Sequence, residues 1–138
     1  MFAIRSRRFR VAGLALALLL AAVTACESPA AGRTLTQRTL NDSGVTGTVT
    51  FVDAGSGRTR VEVQVDPVGN PDMPAHIHPG TCDNLTPQPK FPLENVRAGR
   101  SATEVPATIE ELFAGNLALN VHRSNDDLGT YTACADLR

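Results

Sequence analysis

The chain is 138 residues long with a formal net charge of −1, thirteen Lys and Arg against fourteen Asp and Glu, and no tryptophan. Beyond residue 25 the nine basic residues are scattered rather than grouped, so nothing there tracks a phosphate backbone or favours nucleic acid as a partner. A glycine-rich phosphate loop and a Ser/His/Asp order around a strained nucleophile are both missing, and Glu110-Glu111 and Asp126-Asp127 sit as capping and turn residues rather than as an acid/base pair.

Residues 1–25 have the charge order of a signal peptide. Arg5, Arg7, Arg8 and Arg10 precede the apolar run from Val11 to Val23, which is short for a membrane span. The run ends in Val23-Thr24-Ala25-Cys26, which resembles a bacterial lipobox, where the cysteine is diacylated and becomes the new N-terminus. An ordinary signal peptide with an incidental Cys26 is the competing reading. Arg7-Arg8 also suggests a twin-arginine signal, from which Phe9 departs, so the export route stays open. Lipid on Cys26 would hold the protein at the bacterial cell membrane, facing periplasm or exterior. Cleavage leaves nine basic groups against fourteen acidic ones, a net charge of −5, on a chain suited to one small domain that gains from a covalent staple.

Residues 26–38 are rich in Ser, Pro, Ala, Gly and Thr with few large apolar side chains, which predicts a flexible tether ahead of a domain at 39–138. The stretch from Val45 to Val52 is β-branched, and Arg58 to Asp66 alternates through Val61, Val63 and Val65. Asp53 to Gly57 joins the two as a hairpin connection. After a loop over 67–74 comes Ala75-His76-Ile77-His78. Strand side chains alternate between faces, so Ile77 can enter a core while His76 and His78 project together from the other side. That is half of a metal site.

Asp83 to Pro92 holds three of the nine prolines and reads as an irregular loop. Leu93 to Val96 and Ser101 to Val105 read as short strands joined through Gly99, and Thr108-Ile109-Glu110-Glu111 is a capping box for a helical turn or two closed by Gly115. In Asn116 to His122, Leu117, Leu119 and Val121 share the core face, leaving Ala118, Asn120 and His122 to point outward with the other two histidines. Asn125 to Gly129 is a turn, and Thr130 to Leu137 is the last strand. Seven or eight short strands with almost no helix predict an all-β fold, an antiparallel β-sandwich or Greek-key barrel.

With Cys26 committed to lipid, Cys82 and Cys134 are an even pair, and in an oxidising envelope compartment such a pair normally forms a disulfide. Closing a loop of about fifty residues would stabilise the fold by about 4 kcal/mol. The alternative is a free Cys82 thiolate on copper, which leaves Cys134 unpaired. Three neutral imidazoles suit copper or zinc and leave an open coordination position. Met73, three residues before His76, offers a thioether that would favour Cu(I), or simply fills an irregular gap. A retained scaffold without metal is the plain reading of the same histidines.

His76-x-His78 followed by Cys82, Leu93-x-Asn95-Val96, the run Val121-His122-x-x-x-Asp126-Asp127-Leu128-Gly129, and Ala133-Cys134 together resemble the copper-zinc superoxide dismutase superfamily and small chordin-type (CHRD) domains, from roughly Val45 to Leu137. The resemblance implies that His76, His78 and His122 bind one copper ion, that Asp126 accepts a hydrogen bond from a ligand imidazole, and that Cys82 and Cys134 form the intrasubunit disulfide. The chain also departs from that pattern. Asp83 to Pro92 lacks the family's bridging and zinc histidines, Pro89 and Pro92 stand at two further zinc positions, and Tyr131 replaces the arginine that guides superoxide. A second ion, zinc, is therefore not expected. Three functions follow: a copper-binding envelope lipoprotein that buffers or delivers the ion or gives redox protection, a copper-only superoxide dismutase, or a metal-free module that binds another envelope component.

Overall fold

The computed structural model describes residues 32–66 and 70–138, so the signal peptide and Cys26 lie outside the described residues. Among the described residues the strands in chain order are β1 (Arg33–Thr39), β2 (Thr46–Gly55), β3 (Arg58–Asp66), β4 (Asp72–Met73), β5 (Ala75–Thr81), β6 (Asn84–Leu85), β7 (Phe91–Pro92), β8 (Val96–Arg97), β9 (Arg100–Val105), β10 (Leu117–Ser124) and β11 (Asp127–Leu137), with one helix, α1 (Ile109–Ala114), between β9 and β10. All the pairings are antiparallel. They run in the order β4-β8-β9-β3-β2-β1-β11-β10-β5-β6, with β7 also on β5. The fold is an all-β sandwich.

The period-2 pattern accounts for the core. In β3, Val61, Val63 and Val65 are buried while Arg60, Glu62 and Gln64 are exposed, and their inward face meets Val49 and Phe51 of β2. Ile77 of β5 and Leu117, Leu119 and Val121 of β10 come in from the opposite layer. Each such side chain contributes roughly 1.5–3 kcal/mol on burial. Helix α1 has the expected capping box, with Thr108 and Glu111 each bonding the other's backbone N–H, and it buries Leu112 beneath the sandwich.

The structure corrects the predicted tether. Residues 33–38 belong to β1, which pairs with β2 along one edge and with β11 along the other, so this stretch joins the two halves of the sandwich. Its sequence hid this because Thr34, Thr36 and Arg38 face outward and Gln37 takes a buried position. Here the backbone ladder on both edges holds the strand, with partly buried Leu35 packed against the main core. The loop at 83–92 is also more ordered than expected, for β6 and β7 lie along β5, reinforced by bonds from Thr86 N–H to the Pro79 carbonyl (3.0 Å) and from Lys90 N–H to the Ile77 carbonyl (2.8 Å). The predicted strand at Leu93 to Val96 is realised only as the two-residue β8, which begins at Val96.

Candidate metal centre

Strands β5 and β10 pair so that Asn120 lies opposite His76 and Ala118 opposite His78. With Ile77, Leu119 and Val121 in the core, the histidines fall on the outer face of this layer, as the alternation predicts. That face is not open to solvent: His78 is 2% and His122 3% exposed, and His76 is partly buried at the rim. The segment after β5 closes over it. Gly80 makes the necessary turn at φ +110°, where a Cβ would collide with the carbonyl oxygen of Asn84.

Irregularities on the neighbouring strand aim His122. The β10–β11 register shifts between Val121 and His122 and again before Ser124, as bulges beside functional sites commonly do. Thr132 is left out of the ladder at the first shift, and its hydroxyl donates to the Val121 carbonyl (3.0 Å). The structure thereby gathers one ligand atom from each of His76, His78 and His122 within 4.8 Å of one another.

Hydrogen bonds assign the ring nitrogens. His78 Nδ1 donates to the Thr86 carbonyl (2.8 Å) and His122 Nδ1 donates to the Leu128 carbonyl (2.7 Å), so in the ligating form of each ring the lone pair is on Nε2 and faces the site. His76 Nδ1 lies 2.8 Å from His122 Nε2 and must be the donor of that pair. His78 Nε2 is buried with no hydrogen-bond partner, which costs about 1–3 kcal/mol unless something satisfies it. A soft or borderline metal ion would do so, held by His78 Nε2, His122 Nε2 and, once its proton has moved to Nε2, His76 Nδ1, and the donors present fit one.

Burial favours the neutral form of His76 and His122. Burial, then His122 and His78, lower the pKa of His76 from the usual 6.5 to about 4. His122 is lowered chiefly by burial, against the Leu128 carbonyl and Asp127, which favour its charged form. Neutral imidazole is the form that ligates a metal.

Other expected roles fall differently. Asp126 is exposed at the β10–β11 turn and makes no hydrogen bond to a ring; the Leu128 backbone carbonyl two residues on orients His122 instead. Asp127 pairs with Arg123 (3.5 Å). Met73 is 1% exposed and packs within the main core cluster, its gap-filling role. Cys82 and Cys134 form a disulfide with Cα atoms 5.8 Å apart, which removes the free-thiolate alternative. Tyr131 lies opposite His122, its ring edge-on at a 5.1 Å centroid distance.

Sequence reasoning missed Asn120 and the two carbonyls. Asn120 is fully buried, with Nδ2 3.4 Å from His122 Nε2 and Oδ1 unpaired. The signal was its parity with His122 on a strand whose other face is core. The carbonyls had no side-chain signature to read.

Neither a protein-family model nor a curated protein matches the chain. Among solved structures, a point mutant of superoxide dismutase 5 from Candida albicans aligns over 78% of this chain and 90% of its own, at 21% identity and a TM-score of 0.54. The chain has a superoxide dismutase-like fold. The Cu(II) form of that enzyme aligns over 77% of this chain and 90% of its own, at 17% identity and a TM-score of 0.46. At such identity the likeness concerns the fold, and the chemistry of the site rests on the residues described above.

Proposed function

We propose that this domain binds one copper ion through His76, His78 and His122, and serves as a lipid-anchored envelope protein that buffers or delivers copper or gives redox protection. The observation that carries this reading is the convergence of three imidazole rings, one with a buried and unpaired nitrogen, on a face closed by the 83–92 segment and the disulfide. When bound, copper supplies one-electron chemistry and an open coordination position. His78 and His122 fix the ion from the buried side through rings locked by the Thr86 and Leu128 carbonyls, while His76 at the rim governs its exchange with solvent. Copper is preferred to zinc because of the family resemblance of the sequence, including the HxH and VHxxxDDLG runs. Membrane attachment rests on the lipobox-like Cys26, and the disulfide suits an oxidising compartment. Elemental analysis of the protein isolated from its own envelope tests the reading. Near one copper per chain is expected, lost on His78→Ala, whereas zinc or no metal overturns it. A Cys26→Ser variant should leave the membrane fraction; unchanged membrane retention would overturn the anchor.

A second reading, a copper-only superoxide dismutase, is favoured by the superoxide dismutase-like fold and by the partial opening of the site at His76. Tyr131, beside His122, brings no charge to attract superoxide. Superoxide consumption by the copper-loaded protein, compared with His122→Ala, decides this reading, and equal rates eliminate it.

A further inference from the structure

We infer that Asn120 supplies the site's fourth donor, an amide oxygen that biases it toward the oxidised copper ion; this rests on the copper-binding reading above. Asn120 is 0% exposed, and its Oδ1 has no hydrogen-bond partner. A buried amide oxygen left unpaired costs about 1–3 kcal/mol, so its position calls for a role. Its surroundings leave one direction for it to act. On one side of the sheet register stands Cys134, already in the disulfide, and along its own strand the neighbour on the same face is Ala118. On the other side stands His76, and two residues on is His122, whose Nε2 lies 3.4 Å from Asn120 Nδ2. The carboxamide is thus set between two of the three ligand rings. A half-turn about its terminal torsion exchanges Nδ2 for Oδ1 with no change in shape, and so turns the unpaired oxygen toward the ion. Oxygen donors suit harder cations than thioether or thiolate donors do, so an amide contact here holds Cu(II) in preference to Cu(I).

The test compares wild type with Asn120→Leu and Asn120→Asp, by competition titration with Cu(II) and with Cu(I) against chromophoric chelators, and by the Cu(II) electron paramagnetic resonance spectrum. In Asn120→Leu, Cu(II) affinity should fall about tenfold or more, with Cu(I) affinity held within about threefold. A tenfold change in that ratio corresponds to a rise of about 59 mV in reduction potential. The metal-free melting temperature should stay level or rise, because an unpaired buried polar group has been removed. Asn120→Asp keeps an oxygen in place and adds charge, so it should strengthen Cu(II) relative to Cu(I) and shift the resonance parameters, which keeps the test decisive if the leucine variant misfolds. An unaltered Cu(II)/Cu(I) ratio in the variants, with wild type binding copper, overturns the inference alone. Wild type that binds no copper overturns the underlying reading as well.

Discussion

Acidification of the metal-free domain should lower its stability between about pH 6.5 and pH 4, and His76 sets the size of the effect. In the folded protein its pKa is lowered from 6.5 to about 4 by burial first, and then by His122 and His78. The unfolded chain therefore binds a proton that the folded chain refuses throughout this interval. The stabilising contribution is fully present above pH 6.5, is lost as the pH falls, and loses nothing further below about 4, where both states carry the proton. Each pH unit between the two titrations is worth about 1.4 kcal/mol, so the full span is roughly 3 kcal/mol. The ring's partial exposure brings the expected loss nearer 1–2 kcal/mol. His122, lowered chiefly by burial, acts in the same direction. Urea unfolding of chelator-treated protein, followed by circular dichroism at half-unit pH steps and fixed ionic strength, measures this directly. The midpoint should fall across the window, and the slope should be shallower in His76→Gln. A midpoint independent of pH, or a slope unchanged in the variant, would refute the reasoning.

Three further perturbations probe the frame around the site. Reducing the Cys82–Cys134 bond, which spans a sequence separation of 52, should cost about 4 kcal/mol, read as a lower urea midpoint in reductant; an unchanged midpoint would contradict the staple's role. Ile77→Ala should cost roughly 2–5 kcal/mol, because Ile77 is fully buried, and should weaken copper binding too, because this side chain anchors the strand between His76 and His78. Titrating copper into that variant at a temperature where it remains folded checks the second part. Gly80→Ala should lose roughly 1–3 kcal/mol through backbone strain at φ +110° and displace the Thr86 carbonyl from His78, visible as a changed His78 ring resonance.

The sequence made most of the sandwich legible, because its strands obey a two-residue period that buries one face. Arg58 to Asp66 and Leu117 to His122 carry that pattern openly, and Thr108 to Glu111 announces its helix by side-chain chemistry alone. Strand β1 was illegible for the opposite reason: it is held by ladders on both edges, and its outward threonines and arginine gave no apolar signal. The three histidines were placed on one face by parity, and the structure brings them together. Their burial was not foreseeable from parity, since the covering segment is proline-rich and attaches through main-chain hydrogen bonds. For the same reason Asp126 was expected to accept a hydrogen bond from a ligand imidazole, although it makes none and the peptide carbonyl of Leu128 orients His122. Main-chain acceptors leave no trace in residue identity.

Central to this account is that His76, His78 and His122 act together as a metal site. Titration of Cu(II) into the metal-free domain at pH 7, followed by electron paramagnetic resonance, tests it most directly. One equivalent should bind with superhyperfine splitting from imidazole nitrogens, and His78→Ala should abolish that spectrum while the fold persists by circular dichroism. A wild-type spectrum with no nitrogen coupling, or one that survives in His78→Ala, would contradict the account.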